Sequence, residues 1–507
     1  MCNTNIAKQS KAGVFKMNKS IISLAMAALV PLTAFGSNHS IAEIQVVVNS
    51  IPLSVSSFQE ISGVSESNLD NDDIFLDILD VGDANGDGYD DILMGMFRKD
   101  RRHNSVPRSA LPVLMIFNKA TGKYEYSEQF KNVASKHIWP RQGRIVDINN
   151  DGQKDIVITD TGVDQLGYSC GEQNSILIND GKGNFSNVSK QLPQISDYTH
   201  GIVIADFNND GATDLLMINS PFILKSHNDH TKCPNYSSTQ KYTDNSYMLS
   251  GSTWQKQDPK MAFWESSSEP VMNFSSVTRI SDRQLANHVG AAQDFNDDGI
   301  PDLAIGGNYY LRFAESNGVM SYNKSYTVPL PQKMKEQMAI FKSEGRCPYL
   351  YNNECYAPYS WVQFVDLDND GVDEIVATVA YEFKGWFGNN FQALKRTDGK
   401  WIDITDSVFP DQDYTYDDQA AYCYKMRVAD INGDGKPDFV CDTLSRFFNK
   451  QVMTSNGDGT YTEGVPAYLN SHWGNQRMTI LKMGDEKYFF STKGGLNRVK
   501  GYVTKIQ

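Results

Sequence analysis

The sequence predicts an all-β repeat protein, a set of short antiparallel sheets each opening on an acidic turn. Three observations carry the prediction: an acidic nine-residue motif recurs six times, short β-rich runs flank the copies, and the copies are spaced widely enough for four strands apiece. Self-similarity at such a period marks stacked units, because one unit cannot bury its own apolar faces.

The motif sets acidic or amide side chains at positions 1, 3, 5 and 9, with glycine at position 6. In chain order, "DANGDGYDD" supplies Asp83, Asn85, Asp87 and Asp91, and "DINNDGQKD" supplies Asp147, Asn149, Asp151 and Asp155. "DFNNDGATD" supplies Asp206, Asn208, Asp210 and Asp214, and "DFNDDGIPD" supplies Asp294, Asn296, Asp298 and Asp302. "DLDNDGVDE" supplies Asp366, Asp368, Asp370 and Glu374, and "DINGDGKPD" supplies Asp430, Asn432, Asp434 and Asp438. Alternate side-chain oxygens, with a backbone carbonyl near position 7, provide the oxygen ligands a hard cation such as Ca²⁺ takes. The glycine lets the chain turn back around the ion. These side chains are the expected ligands of up to six structural calcium ions.

An EF-hand opens the same way but needs a bidentate glutamate at position 12 and flanking helices. Position 12 here reads Met94, Ile158, Met217, Ile305, Ala377 and Cys441, none of them a carboxylate. The flanks "GIVIA", "DLLMI" and "EIVATVA" have the length and composition of buried strands. Each unit therefore reads strand, calcium turn, strand. Successive first aspartates lie 64, 59, 88, 72 and 64 residues apart, room for four short strands and their turns. Further along the units, "FNKATGKYEY", "NDGKGNFSNVS", "LKRTDGKWIDIT" and "SNGDGTYTEG" read as outer hairpins with glycine-rich turns.

These repeats resemble the FG-GAP/VCBS family, whose calcium-loop repeats build the β-propeller of integrin α-subunits and of many secreted bacterial proteins. The resemblance covers about residues 70 to 460 and implies a seven-bladed β-propeller with calcium-binding turns between the first two strands of six blades. The C-terminal "MTILKMGDEKYFFSTKGGLNRVKGYVTKI" reads as a degenerate last blade, about 470–507, whose turn has lost the cage. Six blades plus a tail is the alternative. "AEIQVVVNSIPLSV" (42–55) is expected to add a strand that closes the ring, since closure removes exposed sheet edges.

Residues 1–36 read as a secretory signal: from Met17, which alone would begin a normal signal, a lysine precedes an apolar run with small residues at Ala34 and Gly36. The run is short for a membrane span, and no other stretch is expected to cross a membrane. Export to the periplasm, cell surface or medium follows, leaving 37–507 as a single propeller. The formal charge of −14 becomes −18 without the four lysines of that segment, and much of it is ligand charge. Such an acidic chain is not expected to bind nucleic acid or an anionic membrane. Six cysteines remain, an even count that suggests disulfides in an exported protein. Six cysteines allow 15 pairings, of which the local pairs Cys347 with Cys355 and Cys423 with Cys441 are favoured and Cys170 with Cys233 would join neighbouring units, with buried free thiols the alternative.

Regular repetition of the cages argues for a structural role, so partner binding is expected at the far ends of the strands. Counting six residues back from each loop gives a polar ring of Asp77, Arg141, His200, His288, Ser360 and Tyr424. Long segments leave the second strands there and carry Tyr309, Tyr310, Tyr381, Trp386 and Phe387, suited to stacking on sugars or filling a partner's pocket. "HNDH" (227–230) has metal-like spacing that a polar loop tip explains equally well. No nucleophile motif, zinc-protease helix or phosphate loop occurs. The expected function is a monomeric binding or adhesion module for a glycan or a surface protein. An extracellular polysaccharide lyase or hydrolase on the same scaffold is the alternative.

Overall fold

A computed structural model describes residues 72–100, 109–165, 168–192, 198–219 except 208, 210 and 212, 247–250, 289–307, 310–316, 322–347, 350–351, 354–355, 357–382, 386–415, 423–443, 452–472, 477–495 and 498–506. The chain divides into Met1–Ile44 and Gln45–Gln507, and all described residues lie in the second unit. The expected signal segment and the closing strand at 42–55 therefore lie outside the described residues.

The described residues are mostly β, in antiparallel sheets whose strands neighbour one another in chain order or nearly so. Sheet I comprises Asp72–Gly82, Asp91–Asp100, Val113–Asn118 and Lys123–Tyr126. Sheet II comprises Pro140–Val146, Asp155–Asp160, Ser175–Asn179 and Phe185–Asn187. Sheet III comprises Thr199–Ala205, Asp214–Asn219 and Tyr247–Ser250. Sheet IV comprises Val289–Gln293, Asp302–Gly306, Tyr310–Ser316 and Tyr322–Pro329. Sheet V comprises Tyr359–Val365, Glu374–Glu382, Trp386–Thr397 and Lys400–Asp403. Sheet VI comprises Cys423–Ala429, Asp438–Thr443, Val452–Ser455 and Tyr461–Glu463. Sheet VII comprises Arg477–Met483, Glu486–Gly495 and Arg498–Lys505.

Second strands such as "DIVITD" are apolar at successive positions, and successive side chains of a strand point to opposite faces. Each sheet therefore offers an apolar surface on both sides, and the core divides accordingly. In sheet I, Ile92 and Met94 pack with Leu481 and Phe490 of sheet VII, whereas Leu93 packs with Ile156 and Ile158 of sheet II. Val157 packs with Leu215 of sheet III, Leu216 with Leu303 of sheet IV, and Ala304 with Ile375 of sheet V. Val376 then packs with Phe439 of sheet VI, and Val440 with Phe489 of sheet VII. One apolar cluster thus lies between each neighbouring pair, and the first strand of each sheet contacts the first strand of the next, with Arg477–Met483 returning to Asp72–Gly82. The arrangement is propeller-like.

Between sheets IV and V, the helix Gln332–Ser343 buries Met334, Met338 and Phe341 in the shared cluster. Disulfides Cys347–Cys355 and Cys423–Cys441 form as expected, with Cα atoms 5.4 and 5.0 Å apart. Cys233 and the side chain of Cys170 lie outside the described residues. Among the described residues, no helix is long and apolar enough to cross a membrane.

Candidate functional site

All six acidic motifs join the first and second strands of sheets I to VI, and they do so in one register. The residue before position 1 pairs with position 9 in every case: Gly82 with Asp91, Val146 with Asp155, Ala205 with Asp214, Gln293 with Asp302, Val365 with Glu374 and Ala429 with Asp438. Within a loop, backbone N–H groups converge on the side-chain oxygens. In the first, Asp83 accepts from the N–H of Asp87 at 2.9 Å and of Gly88 at 2.6 Å, Asn85 accepts from Asp87 at 3.1 Å, and Asp87 accepts from Tyr89 at 3.0 Å. The position 1 to position 6 bond recurs in the other loops at 2.7–2.9 Å. Each carboxylate oxygen has two lone-pair directions, so one N–H bond leaves capacity for a cation.

The loops need two left-handed residues. Position 6 glycines have φ between 80° and 87°. Position 4 is also left-handed, occupied by Gly86, Asn150, Asn209, Asp297, Asn369 and Gly433, the residue types that tolerate this region. This second requirement escaped the sequence reading, although the restriction of position 4 to Gly, Asn and Asp was its signal. Position 4 has a further role: Asn369 Nδ2 donates to the carbonyl of Gly435 in the next loop at 2.8 Å, and Asn150 does the same to Gly211.

Position 9 carboxylates are buried anchors. Asp91 accepts from Ala84 N–H through one oxygen and from Phe117 N–H on the third strand through the other, both at 2.9 Å. Asp155, Asp302 and Asp438 repeat this with Asn179, Ser316 and Ser455. Burial, reinforced by neighbouring loop carboxylates, pushes Asp91 up to about 7 and Asp155, Asp302 and Asp438 up to about 6, against the pull of these bonds. A bound cation would act in the opposite direction.

The fifth loop differs. Asp366, Asp368 and Glu374 bring one oxygen each within 4.8 Å of one another, a group able to hold a metal ion. Lys395 already places its ammonium there, 2.7 Å from Glu374, 2.9 Å from Asp368 and 3.4 Å from Asp370. With Asp at position 3 this loop has four cage carboxylates where the others have three, and Lys395 restores the common charge. Asn208 and Asp210 lie outside the described residues.

The polar ring falls where the first strands are irregular. Arg141, His200, Ser360 and Tyr424 are the extra residues at register shifts in sheets II, III, V and VI, and a bulge re-aims its side chain. Arg141 is buried over the Trp139 ring at 4.2 Å. His200 is buried beside Tyr198, with ring centroids 4.6 Å apart. Ser360 bonds Thr378 at 2.9 Å, and Asp77 pairs with Arg477 of sheet VII. Of the aromatic candidates, Tyr310 is half-buried. Tyr381 is core, donating its hydroxyl to Tyr414 O at 3.0 Å and meeting Phe341 edge-on. His288, Tyr309 and the 227–230 segment lie outside the described residues, as do the side chains of Tyr424, Trp386 and Phe387.

Most of the residues that reach the centre come one to five positions before a loop. They line a cavity of about 700 Å³ to which all seven sheets contribute, with Asp80, Arg144, Trp361, Gln363, Lys425 and Arg427 among its walls. Asp80 Oδ1 meets Lys425 Nζ at 2.8 Å and Arg427 at 2.9 Å, and its Oδ2 accepts Ile145 N–H at 2.8 Å. Burial would raise the Asp80 pKa, but the charges of Lys425, Arg427 and Arg144 prevail and hold it well below the usual carboxylate range.

One buried constellation has the geometry of a hydrolase triad. His137 Nδ1 lies 3.1 Å from Asp160 and Nε2 2.8 Å from Ser175 Oγ. All three are fully buried, and none lines the central cavity. Asp160 also accepts the N–H groups of Ile138, Trp139 and Gly162, so the trio fastens the segment before sheet II to that sheet.

No curated protein sequence matches the chain. Among solved structures it is similar to an Agrocybe aegerita lectin that recognises non-reducing terminal N-acetylglucosamine, at 14% identity and TM-score 0.40, covering 78% of this chain and 79% of that one. It is also similar to the exotype rhamnogalacturonan lyase YesX, at 13% identity and TM-score 0.33, covering 84% and 67%, and to a Bacillus licheniformis rhamnogalacturonan lyase, at 12% and 0.35, covering 85% and 70%. Residues 147–217, which hold the second and third acidic loops, match the family model of the FG-GAP-like repeat. The chain therefore carries an FG-GAP-like repeat over residues 147–217.

Proposed function

We propose that this protein is an exported, calcium-stabilised β-propeller of seven blades that binds a glycan. Seven interfacial clusters in cyclic order support seven blades over six plus a tail. Calcium suits the all-oxygen, mostly anionic donor set, which positions 1, 3, 5 and 9 of each loop would supply. The disulfides fit an oxidising compartment, in line with a signal at residues 1–36.

The observation that carries the binding reading is the central cavity. About 700 Å³ is the size of a small-ligand site, and its walls combine an indole, amides and charged groups. Indole faces stack on the apolar face of a sugar, while amides and charges take its polar groups. A glycan array probed in calcium-containing buffer tests this. Saturable binding without new reducing ends or unsaturated products is expected, and cleavage of a bound polysaccharide would replace the reading with that of a lyase or hydrolase.

A further inference from the structure

The central cavity carries a charge imbalance that the protein itself does not neutralise. On one side of it, Arg144, Lys425 and Arg427 gather about one carboxylate, Asp80. That carboxylate is already engaged through both oxygens, by Lys425 and Arg427 on one and Ile145 N–H on the other. Arg144 is held by neutral acceptors, Gly143 O at 2.8 Å and Gln142 Oε1 at 3.1 Å. Nearer the acidic loops, Asp90 and Asp373 line the wall with Lys482 and Lys487, so the lining carries five cations and three carboxylates. Asp90 accepts Lys482 N–H at 2.6 Å, and Asp373 accepts Gln293 Nε2 at 2.7 Å.

This excess of positive charge sits in a chain of formal charge −14. Cations removed from water are costly unless an anion meets them. Guanidinium groups suit planar carboxylates, which they bind through paired N–H donors. The Arg427 side chain keeps 20% of its exposure, and Arg144 lies 5.7 Å from the Trp361 ring. An aromatic face next to a guanidinium matches the two aspects of a uronic acid, an apolar ring face and a carboxylate.

We infer that the central cavity is an oxyanion site in which Arg144 and Arg427 bind a carboxylate, with Trp361 beside it for the ring of an acidic sugar. The source of the carboxylate rests on the glycan reading above; the anion site itself does not.

The test uses the full calcium-loaded chain in calorimetric titrations at low ionic strength, with digalacturonate, sodium sulfate and a neutral disaccharide as probes. Saturable digalacturonate binding is expected, at least tenfold weaker in Arg427→Gln and in Arg144→Gln, with Arg427→Lys intermediate. Preference for digalacturonate over sulfate assigns an acidic sugar, and equal binding of the two assigns a small free anion to the same site. Circular dichroism and melting of each variant verify folding, and Lys482→Gln at the wall supplies a milder change, expected to weaken binding two- to threefold. Absence of binding by either anion, or binding indifferent to Arg427→Gln, Arg144→Gln and Lys482→Gln, would overturn the inference. Saturable binding of the neutral disaccharide by the native chain without binding of either anion would overturn it while sparing the glycan reading.

Discussion

Lys425 and Asp80 meet in the channel, Nζ 2.8 Å from Oδ1, although 345 residues separate them. Lys425 also donates to the carbonyl of Leu79. The pair joins sheet VI to sheet I past the intervening sheet VII, so it exists only when the order of sheets is complete.

Asp80→Asn leaves three cations without their shared carboxylate. Breaking a buried pair in this way costs about 3–5 kcal/mol, measured by urea unfolding at neutral pH. Asp80 has a depressed pKa in the folded state, so its contribution is present above the unfolded value of 3.8 and is lost as pH falls below it. The difference between wild type and Asp80→Asn should therefore shrink below about pH 4.

Asn369 separates two effects at one position. Asn369→Gly keeps the left-handed backbone and loses the bond to Gly435, for a cost of about 1 kcal/mol. Asn369→Ala loses both and should cost a further 1–2 kcal/mol or so. Thermal melting of the calcium-loaded variants checks the order.

Lys395 places its ammonium among the carboxylates of the fifth loop, where a bound cation would sit. Lys395→Met should raise the calcium affinity of that loop roughly tenfold while lowering the stability of the calcium-free protein. Calcium titrations followed by calorimetry, with wild type alongside, read both.

Ser175 is a packing residue despite its place beside His137. Ser175→Ala strands the buried His137 Nε2 and should cost about 1–3 kcal/mol. A serine-directed fluorophosphonate should leave native Ser175 unlabelled, as its hydroxyl is fully buried.

The acidic loops were legible because their acidic and amide side chains alternate within one short segment, which spacing alone displays. The pairing of Gly82 with Asp91, and its equivalents, followed from the β-rich flanks. The central wall was not legible, since Asp80, Arg144, Trp361 and Lys425 come from four separate sheets. Counting six residues back from the loops overshot that wall: in sheets II, III and V the count lands on the extra residue of a register shift, Arg141, His200 or Ser360, beyond the residues that line the cavity. Lys395 lies 27 residues from Asp368 and left only an indirect trace, the additional carboxylate at position 3.

The central claim is that calcium in the six loops ties the ring together. Its most direct test is the melting temperature of the full chain with and without a chelator, alongside bound calcium measured by atomic emission. A single site held at 100 times its Kd adds about 2.7 kcal/mol, so several loops together predict a large fall in Tm on chelation, restored by calcium and poorly by magnesium. A metal-free protein that melts at the same temperature as the calcium-loaded one would contradict the account.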